Sequence, residues 1–147
     1  IGKRGQNIPK ALAFDYIFGY TIGNDISARD VQYRHSQYFL GKSFDGTCPL
    51  GPYLVSKDEI PNPQNLSIVT KVNGEIRQNS STKHMMFPVD DIISIVSQYV
   101  TLEPGDIILT GTPEGVGQGM NPPEYLKAGD EVKVSIEGIG TLANRFA

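Results

Sequence analysis

The stretch GNDISARDVQ, residues 23–32, sets Asp25, Arg29 and Gln32 at helical spacing directly after an apolar strand pattern, so on one continuous helix the three side chains would share a face. Asp25 offers an oxygen ligand for a hard divalent cation such as Mg²⁺, which takes few carboxylates and fills its other positions with water and substrate oxygens. The same residue, between a strand and a helix, also suits an N-cap that accepts a backbone N–H of the first turn. Arg29 presents a fork that grips a carboxylate bidentately, and the Gln32 amide beside it donates or accepts, so the pair reads as an organic-anion clamp or as a plain solvated face.

Further along, Lys42 stands between Gly41 and Ser43 in a proline-rich loop, where apolar neighbours would strengthen its field on an anion; a surface lysine is the alternative. The run TGTPEGVG, residues 110–117, offers backbone N–H groups as a carboxylate or oxyanion cradle, or is an ordinary glycine turn. It fits neither the dinucleotide fingerprint nor the P-loop, because the spacing, the Lys and the following helix are missing. Cys48, followed by Pro49, reads as a buried structural thiol rather than a nucleophile. His35 and His84 lack metal-ligand spacing. His35 sits where it would partner a helix C-terminus, with substrate contact as the second reading, and His84 reads as a surface loop residue.

The elements that must hold these groups are mostly strands. Residues 9–18 fit a short amphipathic helix starting at Pro9, GYTIGND a strand, and 26–36 a helix on which Asp30 and Arg34 pair across one outer turn. The region from Phe39 to Pro63 reads as an irregular packed loop with a short strand near YLV. LSIVTKV alternates apolar and polar, Asn73-Gly74 is the strongest type I′ hairpin signal, and EIRQNSS is the returning strand. Apolar positions 89, 92, 93, 96 and 100 mark a helix over 88–100. IIL at 107–109 reads as a short buried strand entering the glycine-rich loop, and DEVKVSIEGIGTLANRF as a closing hairpin. The count predicts one strand-dominated domain over residues 1–147, mainly β with short helices (α+β).

Composition narrows the partners. In 147 residues, 39% are hydrophobic and 20% charged, enough for a real core. A net charge of −3 supplies no broad basic surface, so neither nucleic acid nor an anionic membrane is an expected partner. The single cysteine forms no internal disulfide, and no apolar run nears the roughly 20 residues that span a bilayer; a soluble, reducing compartment, the cytoplasm, is the expectation. IGKRGQNIP reads like the tail of a strand, which suggests the downstream part of a longer chain.

Four stretches, FGYTIGNDISARDVQ, GKSFDGTCPLGPYLV, VNGEIRQ and EPGDIILTGTPEGVG, resemble in order and spacing the fumarylacetoacetate hydrolase family over nearly the whole chain. The resemblance implies a mixed β-sandwich roll, commonly a homodimer, with a Mg²⁺ or Mn²⁺ site that acts on short keto acids by cleaving a C–C bond or removing CO₂. It implies that Asp25 is a metal ligand, that Arg29 and Gln32 contact the substrate's carboxylate end, that Lys42 is the active-site lysine, and that the Thr112 backbone meets the substrate carboxylate. The family's Glu-x-Glu metal pair, normally in a strand just before IGK, and its upstream lid with a His and Glu acid/base pair are not in these residues. RHSQYFLGKSFDGTCPLGP and the inserted MNPPEYLKAG resemble the bacterial branch associated with oxaloacetate decarboxylation. Acylpyruvate or fumarylpyruvate hydrolysis by retro-Claisen cleavage is the alternative and keto-acid tautomerisation a third. An inactive binding module is the reading from a different class.

Overall fold

The computed structural model describes residues 1–34 and 37–147, and among them the chain is mainly antiparallel β with short helices. The strands β1 (Gly19–Gly23) and β2 (Leu50–Ser56) pair as a two-stranded sheet. A second sheet, in the order β4-β3-β5-β6, is built from β3 (Ser67–Val72), β4 (Glu75–Ser81), β5 (Glu131–Ile136) and β6 (Gly140–Arg145). Asn73 and Gly74 both take positive φ, 50° and 88°, as the type I′ turn between β3 and β4 requires. Ile22, Ile60, Val132, Val134, Ile139 and Leu142 fill the main core with residues from both sheets.

The second core lies under α2 (Val89–Tyr99), where Ile93 meets Ile8, Ala13, Ile17 and Leu102. Burying a side chain such as Ile93 stabilises by about 1.5–3 kcal/mol. Ser97 on the same face is fully buried; its Oγ accepts the Ile8 N–H at 2.9 Å and donates to the Ser94 carbonyl at 3.0 Å, so nothing polar is stranded. Tyr20 packs against both clusters and joins them.

Three elements differ from the sequence reading. Residues 10–16 form a 3₁₀ helix, not an α-helix, and bury Ala13 with Ile17 while Phe14 and Phe18 stay exposed. The helix α1 (Arg29–Arg34) begins three residues later than expected, because residues 24–28 are held out of it by backbone bonds to the 41–49 loop: Asn24 N–H to Pro49 O (3.1 Å), Ile26 N–H to Thr47 O (3.1 Å) and Ala28 N–H to Gly41 O (2.8 Å). Residues 107–109 are not a strand; only Ile108 reaches the core, and Ile107 and Leu109 are exposed, since no described strand lies alongside to complete a ladder. No helix among the described residues is long and apolar enough to cross a membrane.

Candidate active site

The same backbone bonds that delay α1 build the site. They lay the 41–49 loop along residues 24–28, and the short 3₁₀ turn Leu40–Lys42 then aims Lys42 back at that run. Lys42 Nζ donates to Asp25 Oδ2 at 2.6 Å and to Ser27 Oγ at 2.9 Å. Asp25 is therefore neither on the helix nor its N-cap: α1 begins four residues beyond it, and its carboxylate is an ion-pair partner. With more than a third of each side chain exposed, the pair contributes only about 0–1 kcal/mol to stability, so an incoming ligand can rearrange it cheaply.

Arg29 and Gln32 do meet. Arg29 Nη1 donates to Gln32 Oε1 at 2.7 Å, one turn along α1. Arg29 lines the cavity, whereas Gln32 is 4% exposed and reaches the site through Arg29. Asp30 and Arg34 pair on the outer face at 3.2 Å, as their spacing predicts. Thr112 lines the same cavity with Gly111 and Gly115, and its Oγ1 accepts a hydrogen bond from Gln78 Nε2 at 2.8 Å. Among the described residues no protein acceptor takes the N–H groups of Gly111, Thr112, Glu114 or Gly115, which leaves them as donors for an anion.

Asp25, Arg29, Lys42 and Thr112 thus line one cavity of about 1360 Å³. That exceeds the roughly 300–1,000 Å³ of ordinary small-molecule sites, so one small molecule would fill only part of it. Asp130, at its rim, is held below the usual carboxylate range by a hydrogen bond from Asn73 Nδ2 and then by the Lys127 N–H. Among the described residues no three His, Cys, Asp or Glu converge as a metal-binding group. Asp25 suits a hard cation as one oxygen ligand of several, since it is partly exposed and faces the cavity.

Other expectations fall away from the site. Cys48 is exposed, not a buried thiol, because its loop docks through the Thr47 and Pro49 carbonyls and leaves the side chain outside. His84 is exposed in the turn after β4, and His35 lies outside the described residues. Two site residues escaped the sequence reading. Ser27 carries no signal beyond its place in NDISARD, and Gln78 sits in the unbroken polar run of residues 77–81, where nothing in the pattern marks the bulge that the β3/β4 register shows.

The family model for the fumarylacetoacetate (FAA) hydrolase C-terminal region matches residues 1–147. Among solved structures, a fumarylacetoacetate hydrolase from Exiguobacterium antarcticum is 51% identical, with a TM-score of 0.97, covering 99% of this chain and 52% of that one. A 5-carboxymethyl-2-hydroxymuconate delta-isomerase from Mycobacterium smegmatis is 43% identical, with a TM-score of 0.90 and coverage of 100% and 55%. A fumarylpyruvate hydrolase from Pseudomonas aeruginosa in complex with Mn²⁺ and pyruvate is 33% identical, with a TM-score of 0.90 and coverage of 100% and 61%. The chain spans about half the length of the curated relatives it matches, 49% of the first.

Proposed function

Because this chain belongs to the fumarylacetoacetate hydrolase family, we propose that it carries the keto-acid-binding half of a metal-dependent enzyme that splits an acylpyruvate into pyruvate and a carboxylic acid. The observation that carries this reading is the convergence on one cavity of an ammonium paired to a carboxylate, an arginine fork and a loop of unused N–H groups. A 2-keto acid needs those three: a clamp for its carboxylate, a cation beside its keto oxygen, and a rigid seat.

Arg29, braced by Gln32, binds the substrate carboxylate, and the free N–H groups of the Thr112 loop bind its other oxygen. Lys42 leaves Asp25 for the keto oxygen, where its charge offsets the negative charge that develops as the C–C bond breaks. Water gives up a proton as its oxygen bonds to the distal acyl carbon; the C–C bond between that carbon and the pyruvate CH₂ then breaks, its electron pair passes to the pyruvate fragment as the enolate, and a proton returns to the enolate carbon. Mg²⁺ or Mn²⁺, with Asp25 as one oxygen ligand and other carboxylates from beyond these residues, would supply a Lewis acid for the keto and carboxylate oxygens.

Hydrolysis takes first place because a relative bears that name and holds Mn²⁺ and pyruvate. Oxaloacetate decarboxylation is the second reading, favoured by the GKSFDGTCPLGP and MNPPEYLKAG stretches, and uses the same seat without a nucleophilic water. Isomerisation shares the same enolate and is named in another relative. A homodimer belongs to the proposal too, supported by exposed Phe39, Leu40, Tyr53 and Leu54. The test is product analysis with the full-length protein and Mn²⁺, offered acylpyruvate and oxaloacetate separately. Pyruvate plus a carboxylic acid, lost in Asp25→Ala, supports hydrolysis. CO₂ from oxaloacetate above the metal-only rate, with acylpyruvate untouched, transfers the assignment to decarboxylation.

A further inference from the structure

We infer that Gln78 is a positioning residue that fixes the Thr112 loop against β4 so that its N–H groups face the substrate carboxylate; this rests on the site reading above. The register of the β3/β4 ladder shifts after Thr70: Thr70 faces Gln78 and Lys71 faces Ile76, which leaves Arg77 as the extra residue of a bulge. A bulge re-aims side chains, and here both Arg77 and Gln78 point into the cavity instead of alternating.

Gln78 holds the Thr112 loop and Arg77 the stretch beyond it. Gln78 Nε2 donates to Thr112 Oγ1 and to the Pro113 carbonyl, both at 2.8 Å, and Arg77 reaches Glu124 Oε2 at 2.6 Å. Between them Gly115, at φ 100°, lies so close that a Cβ there would collide with the Arg77 carbonyl oxygen. The Pro113 carbonyl can only accept, which sets the Gln78 amide with its NH₂ toward the loop and uses both of its hydrogens. The clamp thus takes a hydroxyl and a carbonyl from the loop, and leaves the N–H groups at 111, 112, 114 and 115 without a protein acceptor among the described residues. No other side chain among the described residues bonds to residues 111–115.

Two readouts on the full-length, Mn²⁺-loaded protein test this: amide hydrogen exchange over residues 110–116, and the affinity for oxalate, a two-oxygen stand-in for the keto-carboxylate. Gln78→Ala is expected to speed loop exchange and weaken oxalate by about tenfold each, with β3 and β5 protection unchanged. Gln78→Glu keeps the shape but has no hydrogens to donate, so it is expected to behave like Gln78→Ala. A Gln78→Glu protein that matches wild type in both readouts overturns the inference, as does exchange that rises equally across β3 and β5. A wild type that binds no oxalate removes the site reading, and loop exchange then supports or overturns the clamp by itself.

Discussion

Replacing Gly41 by alanine probes the contact that sets Lys42 beside Asp25. Gly41 is buried, and a Cβ built on it would sit 2.7 Å from Gln32 Cβ, 2.9 Å from Gln32 Cα and 3.0 Å from Gln32 N. Carbon atoms settle at about 3.5–4.0 Å, so the loop and α1 must part by roughly 0.5–1 Å. Two of the three colliding atoms are backbone, and no rotamer change relieves them. A parting of that size stretches the 2.8 Å bond from Ala28 N–H to Gly41 O beyond about 3.2 Å, out of hydrogen-bond range. Overpacking of this kind costs about 1–3 kcal/mol. With a urea slope of about 1–3 kcal/mol per molar, the midpoint falls by roughly 1 M. Lys42, the next residue, moves with the loop, and a 1 Å misplacement costs about 10²-fold in rate. Urea unfolding followed by circular dichroism, with kcat measured on the full-length protein, gives both numbers. A Gly41→Ala protein with the wild-type midpoint and rate would refute the reasoning that close packing on α1 sets the lysine.

Lys42→Met is expected to lower kcat by about 10²–10³-fold while leaving thermal stability nearly unchanged, because its partner pair is exposed and the lysine acts on developing charge. Steady-state kinetics and a melting curve check both halves. Ser97→Ala leaves the buried Ile8 N–H without its acceptor and should cost about 1–3 kcal/mol in urea unfolding, with no change in KM. Asp130 has a folded-state pKa below its ordinary 3.8, first through Asn73 and then through the Lys127 N–H, so its stabilisation is complete above that value and is lost as pH falls through the lower folded one. Asp130→Asn should flatten the acid side of a stability-versus-pH series; an unchanged acid slope contradicts this.

Local chemistry was legible in the sequence and long-range docking was not. Asn73-Gly74 announces its turn because both residues tolerate positive φ, and Ile93 announces α2 because its apolar neighbours recur every three or four residues. The helical spacing from Asp25 to Arg29 points to one shared face, but the bonds from residues 24–28 to the 41–49 loop, which no periodicity records, keep Asp25 off the helix. Residues 107–109 have a strand's composition, but composition does not say whether a partner strand lies alongside. Cys48 beside Pro49 has the look of a core thiol, but a loop can dock by its carbonyls while its side chains face outward. Gln78 gives no sign of its role because a bulge is a property of two strands together, which the sequence of one strand does not show. The family resemblance supplied what pattern could not, by linking four stretches that the fold brings to one cavity.

The most direct test of the central claim is a crystal structure of the full-length protein with Mn²⁺ and oxalate. The account predicts the ion within about 2.3 Å of an Asp25 oxygen, and one oxalate carboxylate within about 3 Å of both the Arg29 guanidinium and an N–H of the Thr112 loop. Oxalate seated elsewhere, or an ion bound with the Lys42–Asp25 pair left as it is here, would contradict it.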